Sequence, residues 1–529
     1  MQSTASNKSK ITQSAAVVGI AVLCSRVLGL IREQVFAGLF GAGYSYDSFV
    51  VAFRIPNLLR DLFGEGALSA AFVTVFSHYD TKKTKEETWQ LASNILTFFA
   101  VTLSLLVLLA IFLAGPIVNI LAPDFAKIAG KSELTVLLTR IMLPFLVVIS
   151  LAAVVMGMLN TKGKFFIPSI ASSFFNLGSI IGGTSLAFVV PKYGYDPIVG
   201  MAIGTLIGGI LQLSVQLPTL FKLGYRYKPT LRINDPGLKR ILKLMIPATI
   251  GLSATQLNIF INTNFASGCA EGSVSWLNYA FRLVQLPIGL FGVALSIAML
   301  PMLAKQASEK NIDEMKNTIV SSLTTVFALT IPATFGLIFL SEPIIQLIFE
   351  RGAFTSADTI ATAQTLSLYG VGLFAYSANK VLVPAFYAID KTKFPVIASF
   401  LAVACNILII TLTIDTFQHL AIALSTSITM MLNFVFLFSM LHIKLQKLAI
   451  VTLLKNLSKI AMATILLALV LIFSQNYIEF LYSDQLLLQA TALFGTIGVA
   501  VLLYGISLTF LGLEELTLMV NKVKRKVTG

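Results

Sequence analysis

The sequence predicts an all-α, polytopic membrane protein with 14 transmembrane helices, laid out as two six-helix lobes and two C-terminal helices. Three observations predict it. Of 529 residues, 56% are hydrophobic and only 12% charged, against a usual charged share of about 25%. Apolar runs of about 20 residues recur from end to end, whereas a soluble core helix would show a polar face and shorter runs. Lysine and arginine collect in every second loop between these runs, as happens when positively charged short loops stay cytoplasmic.

The first span lies near 12–40. It follows a polar amino terminus, MQSTASNKSK, which lacks the short h-region and cleavage site of a signal peptide, so the span is expected to remain in the mature chain. The second, near 47–79, ends at Lys82, Lys83 and Lys85. Spans three and four (88–113 and 133–160) end at Lys162 and Lys164, and five and six (165–190 and 197–222) at the basic stretch from Lys222 to Lys243. Seven and eight (239–267 and 272–304) lead to Lys305, Lys310 and Lys316, and nine and ten (315–341 and 356–388) to Lys391 and Lys393. Eleven and twelve (393–415 and 418–443) end at Lys444 and Lys447. Thirteen and fourteen (448–474 and 485–512) precede a tail with Lys522, Lys524, Arg525 and Lys526. With Lys8 and Lys10, about 25 of the 38 basic residues share one face, opposite Lys127, Lys131, Lys192 and Arg351. Both termini are therefore expected in the cytoplasm. The net charge of +14 is this loop bias, with some attraction to anionic lipid heads, and needs no nucleic acid. Cys24, Cys269 and Cys405 form neither a disulfide pattern nor a metal motif and read as small buried residues.

The chain contains two copies of one unit. AFR, LFG and ALS follow one another in residues 52–69 and again in 280–296, at an offset of about 228 residues. KGKFFIPSIASS (162–173) resembles KTKFPVIAS (391–399) at nearly the same offset. Each copy holds an even number of spans, so both enter the membrane from one side, as parallel repeats about an axis along the membrane normal. The expected division is a first lobe over 1–225, a second over 226–445, and two further helices with a basic cytoplasmic tail over 446–529. Two such lobes are the architecture of alternating-access transporters, with substrate at the lobe interface.

Once the loops are subtracted, Arg26, Arg32, Arg54, Arg60, Arg140, Arg282, Lys380, Lys455 and Lys459 remain inside apolar spans. A charge at the bilayer centre costs about 3 kcal/mol on insertion scales, so such groups face protein or water. Lys455 and Lys459 can snorkel to the cytoplasmic surface. In SRVLGLIRE (25–33), Arg26 and Arg32 each lie about 60° from Gly29, and in the second span Arg54, Asp61 and Glu65 share an arc of about 40°. Pro56, Gly64 and Gly66 should bend this span beside an aqueous cavity. Arg282 is the second-lobe copy of Arg54. Internal pairing is open for Arg54 with Asp61 or Glu65 and for Arg32 with Glu33. Arg26, Arg60 and Arg282 have no comparably obvious acid at helical spacing, and an arginine excess in one cavity points to an anionic ligand such as phosphate. Arg140 and Lys380 are expected to orient helices or line the cavity edge.

Enzyme chemistry finds little support. His78, His419 and His442 are scattered, no nucleotide, metalloprotease or serine-hydrolase motif occurs, and no loop could hold a catalytic domain. No catalytic or metal residue is assigned. Transport would draw on an ion gradient, the membrane potential or the substrate's own gradient.

SRVLGLIRE, FGAGYSYDSF, AFRIPNLLRDLFGEGALSAAFV and VSWLNYAFRL resemble the MurJ (MviN) family of lipid II flippases, within the multidrug/oligosaccharidyl-lipid/polysaccharide exporter superfamily. The resemblance runs over roughly 15–515. It implies transport of an undecaprenyl-diphosphate-linked disaccharide pentapeptide across the bacterial inner membrane for peptidoglycan synthesis. The family's required arginines fall on Arg26, Arg32, Arg60 and Arg282, its aspartate on Asp47 and its motif glutamate on Glu65. Substrate contact is then expected at Arg26, Arg32, Arg282 and Arg54, and gating at Asp47, Arg60, Asp61, Glu65, Pro56 and Gly64. Some members resemble sodium-dependent carriers. Here the corresponding spans offer Asn258, Asn262 and Asn406 without a carboxylate, which favours helix packing over a sodium site. The implied partners are lipid II, membrane lipids and cell-wall synthesis proteins, with the chain a monomer. Alternatives are an exporter of another lipid-linked oligosaccharide, a drug exporter, which should present carboxylates instead, and a non-transporting cell-wall scaffold.

Overall fold

A computed structural model describes residues 2–64, 67–477 and 485–513. Every element among them is helical, and helix contacts divide the chain into two compact units, Met1–Val274 and Ser275–Gly529.

The first unit contains α1 (Gln2–Phe40), α2 (Tyr44–Leu59), a π-helical turn (Arg60–Gly64), α3 (Ala67–Lys82), α4 (Lys85–Phe112) and α5 (Ala114–Leu121). It continues with α6 (Lys131–Met142), α7 (Phe145–Thr161), α8 (Phe166–Val189), α9 (Ile198–Ser214), α10 (Leu217–Lys222) and α11 (Pro236–Ser267). The closest packing is between α8 and α9. Gly200, Gly204 and Gly208 recur every four residues on α9, so one bare stripe lies against α8. A Cβ on Gly204 would strike the backbone of Gly183, and one on Gly200 that of Ala187. Without hydrophobic drive in lipid, such close backbone approach is what holds helices together.

The basic linker before α11 is fastened to α4. Asn94 accepts from the Arg232 amide at 2.7 Å and donates to the Arg232 carbonyl at 3.0 Å. Ser93 Oγ lies 3.1 Å from the Tyr225 hydroxyl, whose ionisation burial pushes up to about 12. Asp235 then caps α11 by accepting from the amides of Gly237 and Leu238. From there α11 packs on α3 and on the π turn, bending by 47° at Pro247. This is why the first compact unit runs on to Val274, past the repeat boundary expected at 225. The repeat records where the unit was duplicated, and the contacts record which helices pack together.

The second unit contains α12 (Ser273–Pro287, its first two residues in the first unit), a second π-helical turn (Ile288–Val293), α13 (Ala294–Ser308), α14 (Ile312–Phe339) and α15 (Ser341–Phe349). Then come α16 (Ser356–Val371), α17 (Leu373–Ala388), α18 (Lys393–Phe417), α19 (His419–Lys444), α20 (Ile450–Tyr477) and α21 (Leu486–Phe510). α16 and α17 bend by 43° about Gly372, which closes on Ser427 of α19, and Ser427 Oγ donates to the Leu368 carbonyl at 2.6 Å. α20 packs on α14 and on α21.

Among the described residues ten helices are long and apolar enough to cross a membrane, or twelve if each bent pair is one span. α1 falls on the first expected span, and α2, the π turn and α3 fall on the second, which is consistent with the 14 that the sequence predicts. The expectation of three buried cysteines fails. Cys24 is exposed beside Ile20, Leu23 and Val27 on the outer stripe of α1, because an apolar solvent lets small residues sit on the surface, and Cys269 and Cys405 are half-buried.

Candidate functional site

The cluster of ionised and polar groups in the first unit begins at the amino end of α2. Asp47 is 1% exposed and accepts from Lys131 Nζ of α6 at 2.9 Å and from the Gly272 amide at 3.0 Å. Lys131 is equally buried, its ammonium 4.4 Å from the centroid of the Phe125 ring. Around this pair, the Tyr44 amide donates to Glu271 at 2.9 Å and Ser45 Oγ to Asp196 at 2.8 Å. Gly43, at φ 147°, lets the chain turn there, and a Cβ would press on Glu271. One end of α2 is thus locked to α6, to the α8–α9 loop and to the loop leaving α11. Lys131, Glu271 and Gly272 escape the sequence reading, which counted Lys131 only as a loop charge.

On α1 the two arginines part company. Arg26 is exposed. Arg32 is 9% exposed and donates to Glu33 at 2.7 Å, with Tyr46 donating to the other Glu33 oxygen at 2.8 Å. Its guanidinium also lies 5.3 Å from the Phe175 ring centroid. Gly29, between the two arginines, faces Asn176 of α8, which donates to the Ser25 carbonyl at 3.0 Å. Of the pairings left open by the sequence, Arg32 with Glu33 is present.

Four residues past Pro56 the α-helix gives way to the π turn. A π turn adds about one residue per turn, so helical-wheel angles taken through residue 60 no longer hold. Asp61 accepts from Arg60 at 3.0 Å and from Gln256 of α11 at 3.1 Å, while Thr249 Oγ1 donates to the Leu62 carbonyl. Arg54 is half-buried about two turns earlier, next to Phe53, whose ring lies 5.7 Å from that of Phe145. Gly64 closes the π turn, and Glu65 lies outside the described residues.

In the second unit Arg282 is half-buried on α12. Tyr279 is buried against Phe349 and Phe354, and Trp276 donates to Asp358 at 2.9 Å, which fixes the rotation of this helix. The π turn that follows starts at Ile288, at the same place in the repeat as Arg60. The duplicated AFR and LFG motifs therefore mark a duplicated helix–π–helix rod. Asn406 accepts from Ser425 of α19 at 2.6 Å, and Asn258 and Asn262 are half-buried on α11. Among the described residues no three His, Cys, Asp or Glu side chains gather as metal ligands.

A family model described as Lipid II flippase MurJ matches residues 36–491. The chain belongs to the MurJ lipid II flippase family. A probable lipid II flippase MurJ of Buchnera aphidicola subsp. Acyrthosiphon pisum is 38% identical over 421 residues, covering 79% of this chain and 81% of the relative. The lipid II flippase MurJ of Burkholderia cenocepacia is 36% identical over 425 residues, with 79% and 81% covered. Among solved structures, a lipid II flippase MurJ in an inward closed conformation matches with a TM-score of 0.76 at 31% identity, over 93% of this chain and 98% of that one. An inward-facing multidrug transporter of the MATE family matches at a TM-score of 0.66 and 15% identity, over 82% and 98%, which shows a shared fold alone. MurJ proteins move a lipid without transforming it, so this member is not an enzyme. The match begins at Phe36, and the extended relatives and the solved MurJ structure carry the likeness over most of the chain.

Proposed function

We propose that this protein carries lipid II, an undecaprenyl-diphosphate-linked disaccharide pentapeptide, from the cytoplasmic to the outer leaflet of the bacterial inner membrane by alternating access. Membership of the MurJ family carries this reading, and the arginines on α1, α2, the π turn and α12 give it a chemistry. A guanidinium offers a fixed fork of donors that matches a diphosphate and keeps its charge at any physiological pH. We assign diphosphate recognition to Arg26 and Arg54 in the first unit and to Arg282 in the second, while Arg32 holds Glu33 and Tyr46 in place. The isoprenoid tail stays in lipid along α20 and α21, whose outer faces carry Leu469, Phe473, Phe494 and Leu502.

The basic-loop bias supports cytoplasmic termini, which puts Asp47 at the outer end of α2. There the Asp47–Lys131–Gly272 lock closes the outer side. Arg60, Asp61 and Gln256 hold the π turn to α11, and Glu65 follows it, so movement of this rod opens and closes the inner side. Proline and the π turn weaken the rod there, and π turns occur mostly where helices must deform for function. The lack of a nucleotide motif supports coupling to the membrane potential or an ion gradient. The chain acts as a monomer that meets cell-wall synthesis proteins at the membrane.

The test measures lipid II on the outer leaflet of bacteria depleted of their own flippase. The parent is expected to restore exposure, and Arg26→Ala and Arg282→Ala to lower it about tenfold or more at matched expression, since a charge-assisted hydrogen bond contributes about 1.5–3 kcal/mol. Failure of the well-expressed parent would redirect the substrate to another lipid-linked oligosaccharide. Full rescue by both variants would make these arginines structural.

A further inference from the structure

Arg140 is a membrane-level charge that the transport reading does not use. It lies on α6, where its Nε donates to the Ile111 carbonyl at 3.4 Å, near the carboxyl end of α4. α4 has 28 residues, about 42 Å of helix, against an apolar slab of about 30 Å. α4 is one candidate membrane span, Lys85–Phe112, so its carboxyl end, and Arg140 with it, lies towards one edge of the apolar slab. Glu133 is two turns earlier on α6, offset by only about 20° and about 10 Å along the axis. Arg140, Glu133, Asn119 and Ser132 line an open cavity of about 270 Å³, with Gly115 and Val136 in its wall. Beside it Phe112, Leu109 and Ile120 are 81%, 55% and 63% exposed, an apolar border suited to acyl chains.

A cation and an anion on one helical face, a polar cavity between them and an acyl-facing border match a zwitterion attached to lipid. We propose that α5 and α6 bind the headgroup of an aminophospholipid, with its phosphate on Arg140 and its primary amine on Glu133. An anionic lipid without an amine would leave Glu133 repelling the phosphate, and a free phosphate would gain nothing from the apolar border. The orientation proposed above would put this site on the outer-leaflet side; binding itself is independent of flipping.

The experiment is native mass spectrometry of the delipidated full chain in detergent, titrated with phosphatidylethanolamine or phosphatidylglycerol. Phosphatidylethanolamine is expected to remain bound about tenfold more than phosphatidylglycerol. Arg140→Gln should lower retention of both lipids by losing the phosphate contact they share, and Glu133→Gln should make the two lipids equal. Gly115→Leu keeps both charges and fills the cavity, because an added Cβ meets no atom within 4 Å. It should abolish retention in a protein that melts like the parent. Equal retention of both lipids by the parent, or unchanged retention in Arg140→Gln and Gly115→Leu, overturns the proposal. Displacement of bound phosphatidylethanolamine by millimolar inorganic phosphate would overturn the lipid as source and leave a phosphate site.

Discussion

Asp47→Asn is expected to unlock the outer end of α2 and to expose Cys269 to a membrane-impermeant maleimide. The asparagine can still accept from the Gly272 amide, but it leaves Lys131, 1% exposed, without its counter-ion. Removing one partner of a buried pair costs about 3–5 kcal/mol. The loop released is the one that carries Gly272, Glu271 and Cys269. In the parent, burial and then the nearby Asp124 carboxylate push the Cys269 thiol up to about 11 from its ordinary 9.0, so little thiolate is present at pH 8. Full exposure would lower that value by about two units and raise the reactive fraction up to about 100-fold. Labelling is read in a Cys24→Ser, Cys405→Ser background, where Cys269 is the remaining cysteine of the three. Adding Lys131→Met to Asp47→Asn should recover much of the lost thermal stability, because no buried charge is then left unpaired. A labelling rate in Asp47→Asn equal to the parent's would remove the lock.

What the sequence made legible follows from the reach of its signals. Helix number and order come from composition along the chain, and the helices of the described residues fall on the expected spans in order. Arg32 and Glu33 are neighbours in sequence, so their pairing could be weighed before any fold was known. Pro56 and the following glycines announced a break in the second span, and the AFR and LFG repeat announced its copy. Neither told that both breaks are π turns; the first is tied to α11 through Asp61 with Gln256 and Leu62 with Thr249, residues far apart in sequence. The partners of Asp47 were out of reach for a similar reason. Lys131 and Gly272 lie 84 and 225 residues away, and helical spacing reports only on neighbours within about two turns. The α9 glycines stand at a spacing that sequence alone can show, yet their importance depends on α8 passing close enough to need them. The assignment of α11 to the first compact unit likewise depends on tertiary contacts, which a repeat offset does not encode.

Gly204→Leu should be among the most damaging single changes in the first unit, although it touches no charge. Its Cβ would occupy space already held by the backbone of Gly183 and by the Ser179 carbonyl, and backbone cannot rotate away as a side chain can. Overpacking a core typically costs about 1–3 kcal/mol, and a backbone clash on the best-packed helix pair belongs at or above the upper end. The consequence should travel further than α9. α8 also holds α1, through the Asn176 bond to the Ser25 carbonyl and the contact at Gly29, on either side of which Arg26 and Arg32 project. Moving α8 therefore moves Arg26, which is assigned to the diphosphate, together with Arg32. The measurement pairs thermal melting in detergent with outer-leaflet lipid II exposure, and uses Gly336→Leu on α14 as the control, since a Cβ there meets no atom within 4 Å. Gly336→Leu should match the parent in both readouts, whereas Gly204→Leu should melt earlier and export less even when corrected for the amount of folded protein. If Gly204→Leu keeps export per folded molecule at the parent's level, the glycine seam stabilises the unit without positioning its arginines.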